Sequence, residues 1–415
     1  MSARRFLLGL ALAALGAAPA LAQIGAEIPL DLDQPEAAVA VVERQARAGG
    51  GADAFDHQKL HDLYDGLDEN DALRLRLLNA LARLDLAAPD ALADEDELWS
   101  DQARLLARTG APPAEVLAAL KRMVGAEALL DAGLDPRFAA ARALEPAWFE
   151  PRAIVMRGLE RADRMTGKQA NRLALVRLRA DLLERLGRPA EALALADAAL
   201  LRFQVSPQSF VDAEGALSGV RVERAFSLWQ LDRLDEAIAE DRVILKAARA
   251  DEDYNGWADS QLILHLDAAG QAQAALKALD YFVYRNGEVM ADWVAARSAC
   301  VNLQLGRLKA ARRDLAELKA KDDPGRPALT YALLCFDDLD GAAATYKARL
   351  ADPDRAGWAI MALSPRARAK GPAPRDLVNL ERQAKVAARP DVQAALAAAG
   401  GPRPSPLTPS GGEIW

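Results

Sequence analysis

Residues 186–193 read Leu-Gly-Arg-Pro-Ala-Glu-Ala-Leu, and this octet carries the pattern that decides the fold. An apolar residue and a glycine are followed by a segment with helical spacing and an alanine, Ala192, near its start. Glycine tolerates the backbone of a tight turn between antiparallel helices, and a small side chain lets two helices approach closely. The octet therefore predicts a turn followed by the second helix of a helical hairpin.

The same arrangement recurs four times further along the chain, with Gly or Asp at the turn. The later copies occupy residues 231–238, 269–276, 305–312 and 336–343. The five copies align on Ala192, Ala237, Ala275, Ala311 and Ala342, at spacings of 45, 38, 36 and 31 residues. One hairpin alone cannot bury its apolar face, whereas stacked neighbours can, so the pattern predicts an array of hairpins.

Composition favours helices along the whole chain of 415 residues. Hydrophobic residues make up 51% and aromatic residues only 5%, and Ala and Leu dominate, which is typical of an all-α protein. This hydrophobic share excludes a wholly disordered chain, and two cysteines exclude a disulfide scaffold or a multi-cysteine zinc fold. The net charge of −8 argues against nucleic acid as a partner, because phosphate binding needs clustered Lys and Arg.

Over about residues 170–352 the pattern resembles the tetratricopeptide repeat (TPR) family, whose unit has 34 residues. The turn and the second helix carry the resemblance, as in Ala192 with Ala196 and Ala199. Ala180 and Ala225 stand where the family places a small packing residue in the first helix. The resemblance implies a right-handed α-solenoid of helix-turn-helix repeats.

The resemblance also implies a groove lined by the first helices, where a partner would bind. The candidate partner-binding residues in those positions are Arg177, Asp181, Phe226, Trp229, Trp257, Leu264, Trp293, Arg297 and Tyr331. Aromatic residues beside arginine are typical anchors of bound peptides. Two interpretations stay open: the aromatic residues bind a partner, or they fill the core between repeats.

Residues 1–22 predict a signal peptide. Arg4 and Arg5 precede an apolar run over residues 6–18, and Ala20-Leu21-Ala22 is a pattern that signal peptidase cuts after Ala22. The run is shorter than the roughly 20 residues that a membrane-spanning helix needs, and no later segment is long and uncharged enough. We expect a periplasmic protein without an integral membrane segment in its mature chain.

The remaining chain divides into five predicted segments. These are a linker with a short helix (23–54), degenerate helical repeats (55–165), TPR-like repeats (166–352), C-terminal capping helices (353–400) and a disordered Pro/Gly-rich tail (401–415). Apolar spacing over residues 116–130 predicts helix, while residues 353–374 are interpreted as a basic loop before the two capping helices. The end of the tail, Glu413-Ile414-Trp415, is a candidate recognition signal.

The three histidines offer little catalytic chemistry. His57 and His61 share one helical face and suit a metal with Asp53, Asp62 or Asp65, but the sequence does not place the further ligands that zinc needs. His265 lies within an apolar helical segment and is interpreted as a structural residue. The sequence therefore predicts no enzyme, no cofactor and no metal site.

Cys300 and Cys335 lie on the first helices of adjacent repeats. An even cysteine count in an oxidising compartment permits a disulfide. However, Cys300 precedes Ala311 by 11 residues and Cys335 precedes Ala342 by 7, about one helical turn of difference, while a bridge requires α-carbons within about 7 Å. The spacing favours two buried thiols, and the disulfide remains the alternative.

Together these features predict a non-enzymatic scaffold or adaptor for protein–protein interactions, in an envelope assembly or an export machine. The expected partner is a protein or peptide, and the sequence does not indicate an oligomeric state. The alternatives are a metal-dependent enzyme with a site in the N-terminal helical region, and a solenoid that binds a glycan or peptidoglycan fragment on its Trp-rich face.

Overall fold

A computed structural model describes residues 28–84, 95–249, 257–286, 290–321, 323, 325–367 and 374–408. The predicted all-α class is confirmed, because the regular structure in these ranges is helical and no strand occurs in them beyond an isolated bridge between Arg366 and Ser405. None of the described helices has both the length and the apolar character that crossing a bilayer requires. The chain forms two compact units, Met1–Leu86 and Ala87–Trp415.

The first unit contains three helices: α1 Pro35–Arg47, α2 His57–Asp65 and α3 Asp71–Arg83. The Asp56 and Asn70 side chains accept backbone N–H groups in the first turns of α2 and α3, so both helices begin with a capping residue. Helix α1 packs on α3. Val39, Val42 and Leu77 are fully buried in the apolar core of this unit.

The second unit begins with helices α4 Asp96–Arg108, α5 Pro113–Leu120, α6 Ala126–Leu134, α7 Ala139–Leu144 and α8 Pro151–Lys168. The helical stretch predicted over residues 116–130 is therefore two helices. The helix is interrupted between them, at Val124 and Gly125. The backbone N–H groups of these two residues donate to the carboxylate of Asp96 at 2.7 and 2.6 Å. Because Asp96 satisfies these amide groups, helix α6 can begin anew at Ala126.

Ten helices follow in five hairpins: α9 Leu173–Arg185 with α10 Pro189–Val205, α11 Ala213–Gln230 with α12 Leu234–Ala248, α13 Trp257–Ala268 with α14 Ala272–Asn286, α15 Ala291–Gln304 with α16 Leu308–Ala320, and α17 Pro327–Cys335 with α18 Leu339–Leu350. In each hairpin the two helices pack on each other, and successive hairpins are in contact. The five aligned alanines of the octets are all fully buried.

The turns of the five hairpins share one backbone geometry. The second residue of each octet has a positive φ between 60° and 71°, and these residues are Gly187, Asp232, Gly270, Gly306 and Asp337. The next residue donates its N–H to a carbonyl five positions back, as Arg188 does to Leu183 at 2.9 Å. This is the pattern with which a left-handed residue ends a helix. The hairpins that the octets predict are therefore present.

We expect Gly306→Ala to lower the free energy of unfolding by about 1 kcal/mol, because a Cβ atom disfavours the left-handed backbone. No atom lies within 4 Å of the position a Cβ would take, so the loss comes from the backbone alone. Gly167→Ala is the matched control, since it lies in helix α8 with equally open surroundings and should raise stability by about 0.5 kcal/mol. Urea midpoints measure both changes. A shift of the same sign in both variants would contradict the turn geometry.

Three helices follow the hairpins: α19 Ala356–Leu363, α20 Pro374–Ala387 and α21 Pro390–Ala398. Helices α20 and α21 are the two that the sequence predicts, whereas α19 lies where we expected a loop. We expected a loop because residues 353–374 contain several prolines and arginines. The apolar segment among them, Ala356–Leu363, forms the helix. Ala359 and Ile360 of α19 are buried, and α19 packs on both α18 and α6.

The first part of the C-terminal tail also differs from the predicted disorder. Residues 401–408 form an ordered segment without helix, and Leu407 within it is buried. Ser405 donates its N–H to the Pro365 carbonyl at 2.9 Å, and Thr408 donates to the Arg185 carbonyl at the same distance. These backbone bonds and the buried Leu407 supply the order that composition alone does not predict. The predicted signal peptide and the candidate recognition signal at residues 413–415 lie outside the described residues.

Cys300 and Cys335 form a disulfide, so the favoured interpretation of two thiols is wrong. Their α-carbons are 5.6 Å apart, within the range of bridged cysteines. Helices α15 and α17 are in direct contact, and Cys335 is the last residue of the shorter helix α17. The shift of the two helices along their axes compensates for the stagger counted from the alanines. An alignment of turns does not reveal that shift.

Candidate functional site

The nine candidate partner-binding residues all lie on the first helices of the hairpins. They differ in how much of each residue is exposed to solvent. The Arg177 side chain is 61% exposed and Trp257 is 37% exposed, whereas Trp229, Trp293 and Arg297 are buried. The other four, Asp181, Phe226, Leu264 and Tyr331, are partly buried. Only part of the predicted set is therefore accessible to a partner.

Arg297 lies at the centre of a buried polar network. Its Nη1 atom donates to the Tyr331 hydroxyl at 2.7 Å and to Asp267 Oδ2 at 3.4 Å. The Tyr331 hydroxyl donates to the same carboxylate at 3.3 Å, and Gln304 Nε2 donates to its other oxygen at 2.6 Å. The network joins the first helices α13, α15 and α17. Asp267 was not singled out from the sequence, where it is one acidic residue in an apolar helix.

His265 forms a second buried polar contact, with Asp241. Its Nδ1 atom lies 2.6 Å from Asp241 Oδ2, and both side chains are almost completely buried. The ring of Phe226 meets the imidazole edge-on at 5.3 Å between centroids, and Trp229 stacks on it at 6.1 Å. Two candidate aromatic residues thus pack around a histidine inside the array. For Trp229 this packing agrees with the interpretation that the aromatic residues fill the core between repeats.

An acidic cluster lies between α9 and α11. Glu184 is fully buried, and its Oε1 accepts the Ser227 hydroxyl at 2.5 Å. Burial raises the pKa of Glu223 to about 8, with the negative charge of Asp181 adding to the effect. Burial also raises the pKa of Glu184, and the neighbouring Glu223 adds to it. Sequence reasoning found Asp181 but missed the two glutamates, which have no motif around them.

We expect the second unit to become less stable as the pH rises from about 4.5 to about 8. A carboxyl group with a raised pKa in the folded state binds its proton more tightly there than in the unfolded chain. Its contribution to the free energy of unfolding is therefore complete below about pH 4.5. Above that pH the contribution of one group falls by about 1 kcal/mol per pH unit, and it is lost once the pH reaches the folded-state pKa. Urea unfolding at pH 5.5 and pH 8.5 measures the change.

Glu223→Gln is the control for this pH dependence, because glutamine stays neutral. The variant should differ from the wild type less at pH 5.5 than at pH 8.5, where it should be the more stable of the two. If the variant and the wild type lose stability in parallel, Glu223 does not cause the dependence.

The two N-terminal histidines lie on helix α2, where His57 is exposed and His61 is partly buried. The described ranges contain no group of three or more His, Cys, Asp or Glu residues placed to hold a metal ion. His57 and His61 thus share a helix, as expected from their spacing, without a third ligand beside them in the part of the chain that the structure describes.

No protein-family model matches this chain, and no curated protein sequence is significantly similar to it. The resemblance to tetratricopeptide repeats therefore stays a prediction from the residues themselves.

Proposed function

We propose that this protein is a non-enzymatic scaffold or adaptor that binds segments of partner proteins in the periplasm. The observation that supports this most is the fivefold repetition of one hairpin, with a left-handed Gly or Asp at the same turn position and a buried alanine at the same place in the second helix. In this proposal the hairpins stack as a right-handed α-solenoid of TPR-like repeats. Such arrays present long surfaces that suit extended protein ligands.

The proposed contact surface includes Arg177 of α9 and Trp257 of α13. These are the two candidate residues with the largest exposed fractions. A guanidinium group favours a carboxylate, and an exposed indole favours an apolar side chain. The partner segment that we propose therefore carries a carboxylate and an apolar side chain. Their spacing lets one reach α9 and the other reach α13. Trp293 and Arg297 are not part of this surface, because both are buried.

Site-specific photocrosslinking in the native envelope tests the proposal. A photoreactive residue is placed at Asp181 on α9 or at Ser260 on α13, each within about one helical turn of Arg177 or Trp257, so that both proposed binding residues stay in place. Val243 is the control position, since it is exposed on the second helix α12. We expect one defined protein adduct from positions 181 and 260 and none from 243. Trp257→Ala should reduce the adduct at position 181 while the circular dichroism spectrum stays unchanged. Equal labelling from all three positions, or none from 181 and 260, contradicts the proposal.

A further inference from the structure

The second unit contains a partly open cavity of about 380 Å³ that none of the candidate partner-binding residues line. Its walls come from helices α6 to α8, from the end of α9, from α19 and from residues 402–408. The ordered C-terminal segment thus forms one wall. The volume lies within the range of small-molecule binding sites in proteins.

The charge of this cavity is opposite to that of the chain. Four arginines line it, Arg142, Arg185, Arg366 and Arg403, against the single carboxylate of Asp131. The whole protein carries a net charge of −8. Arg185 pairs with Asp181 at 3.0 Å, outside the lining, and the remaining arginines still outnumber the carboxylate. The excess of positive side chains would attract an anion.

Arg142 is one of the two buried arginines of this lining, with 8% of its surface exposed. Its Nη1 atom donates to the carbonyl oxygen of Ala132 at 3.1 Å and also to that of Asp135. Its Nη2 atom is buried and has no hydrogen-bond partner among the described residues. A buried donor on a charged group costs free energy unless an acceptor satisfies it, and an anionic oxygen is the strongest acceptor.

Arg142 and Arg403 also repel each other. Burial, together with the positive charge of Arg403, lowers the pKa of Arg142 to about 10, while Asp135 opposes the shift. The group is still protonated at neutral pH. An anion between the two guanidinium groups would turn this repulsion into attraction.

The other walls of the cavity are apolar. Leu134, Phe149, Ile154, Met361 and Leu407 contribute side chains to them. A small hydrated ion would leave these walls without a contact, whereas an apolar ligand body would bury them. The cavity therefore suits a ligand with an anionic head and an apolar body.

We propose that the cavity binds a small amphipathic organic anion, with its carboxylate or phosphate group between Arg142 and Arg403 and its apolar body against Phe149. The site is independent of the scaffold surface. Residues 402–408 close over the ligand and supply Arg403, so the C-terminal segment is part of the site.

Isothermal titration calorimetry of the full-length mature protein tests this site. The probes are octanoate, octyl phosphate, octanol and inorganic phosphate. We expect one molecule of octanoate or octyl phosphate to bind per chain, about tenfold or more tightly than octanol or inorganic phosphate. The ratio between octanoate and octyl phosphate identifies the preferred head group. If neither amphiphile binds, or if octanol binds equally well, the proposal is wrong.

The Arg403→Ala variant tests whether the amphiphile binds in this cavity. The Arg403 backbone N–H donates to Ser364 Oγ at 2.7 Å, a contact that the substitution retains, so the segment keeps its anchor. We expect about tenfold weaker binding of the amphiphile by this variant. Arg313→Ala is the matched control, because the Arg313 side chain is 76% exposed and lies outside the cavity. Equal affinity in the two variants would overturn the assignment.

Discussion

Reduction of the disulfide between Cys300 and Cys335 is expected to lower the free energy of unfolding by about 4 kcal/mol. The bridge joins residues 35 positions apart, and opening this loop increases the conformational entropy of the unfolded chain. The midpoint of urea unfolding, measured with and without a thiol reductant, reports the loss.

The double variant Cys300→Ala/Cys335→Ala is the control, because it should show the lowered midpoint and no further response to the reductant. The bridge also supports helix α20, since Arg382 donates to the Cys335 carbonyl at 2.8 Å and Asn379 Nδ2 lies 3.5 Å from Cys335 Sγ. Proteolysis within α20 should therefore be faster after reduction. An unchanged midpoint in the reduced wild type would show that the bridge does not constrain the fold.

Arg297→Ala is expected to lower the free energy of unfolding by about 3–5 kcal/mol, whereas Arg177→Ala should change it by about 0.5 kcal/mol or less. Both arginines belong to the predicted partner-binding set, but their surroundings differ. Removing the buried Arg297 leaves the Asp267 carboxylate without its cation inside the protein. Removing the exposed Arg177 breaks one hydrogen bond, from its Nε atom to Glu223 Oε1 at 3.3 Å. Urea unfolding of the two variants measures both values.

The two arginine variants separate a structural role from a binding role. Arg177→Ala should lose the partner adduct with the fold intact, whereas any loss of binding in Arg297→Ala should follow its loss of structure. If Arg297→Ala is as stable as Arg177→Ala, the buried network does not hold α13, α15 and α17 together.

The hairpins could be predicted because their signals are local. A glycine or aspartate at the turn and an alanine near the start of the next helix act within a few residues, and each octet contains both. Gly270 and Asp337 therefore mark their turns equally well. The all-α class follows in the same way, from the helix propensities of Ala and Leu summed over the chain.

Burial within the array could not be predicted in this way. The positions of Trp293 and Arg297 on their helix were assigned correctly to the first-helix set, but their exposure depends on the neighbouring hairpins. Arg297 contacts Asp267, 30 residues before it, and Tyr331, 34 residues after it. No pattern within a single repeat reveals such partners.

The cavity was equally hidden from the sequence. Arg366 was assigned to a basic loop and Arg403 to a disordered tail, and Arg142 lies in a short helix without any motif. Only the tertiary contacts bring these three side chains to one place.

The contact of α6 with α19 affects the order in which the chain folds. Beside this contact Arg137, which follows α6, forms an ion pair with Asp354, which precedes α19, although the two residues are 217 positions apart. Each hairpin has neighbouring partners and can form early, while contacts between distant residues carry a larger loop-closure entropy and form slowly. Residues 402–408 are synthesised after all of the hairpins. A nascent chain therefore exposes the arginines of α7 and α9 until its last segment arrives to cover them.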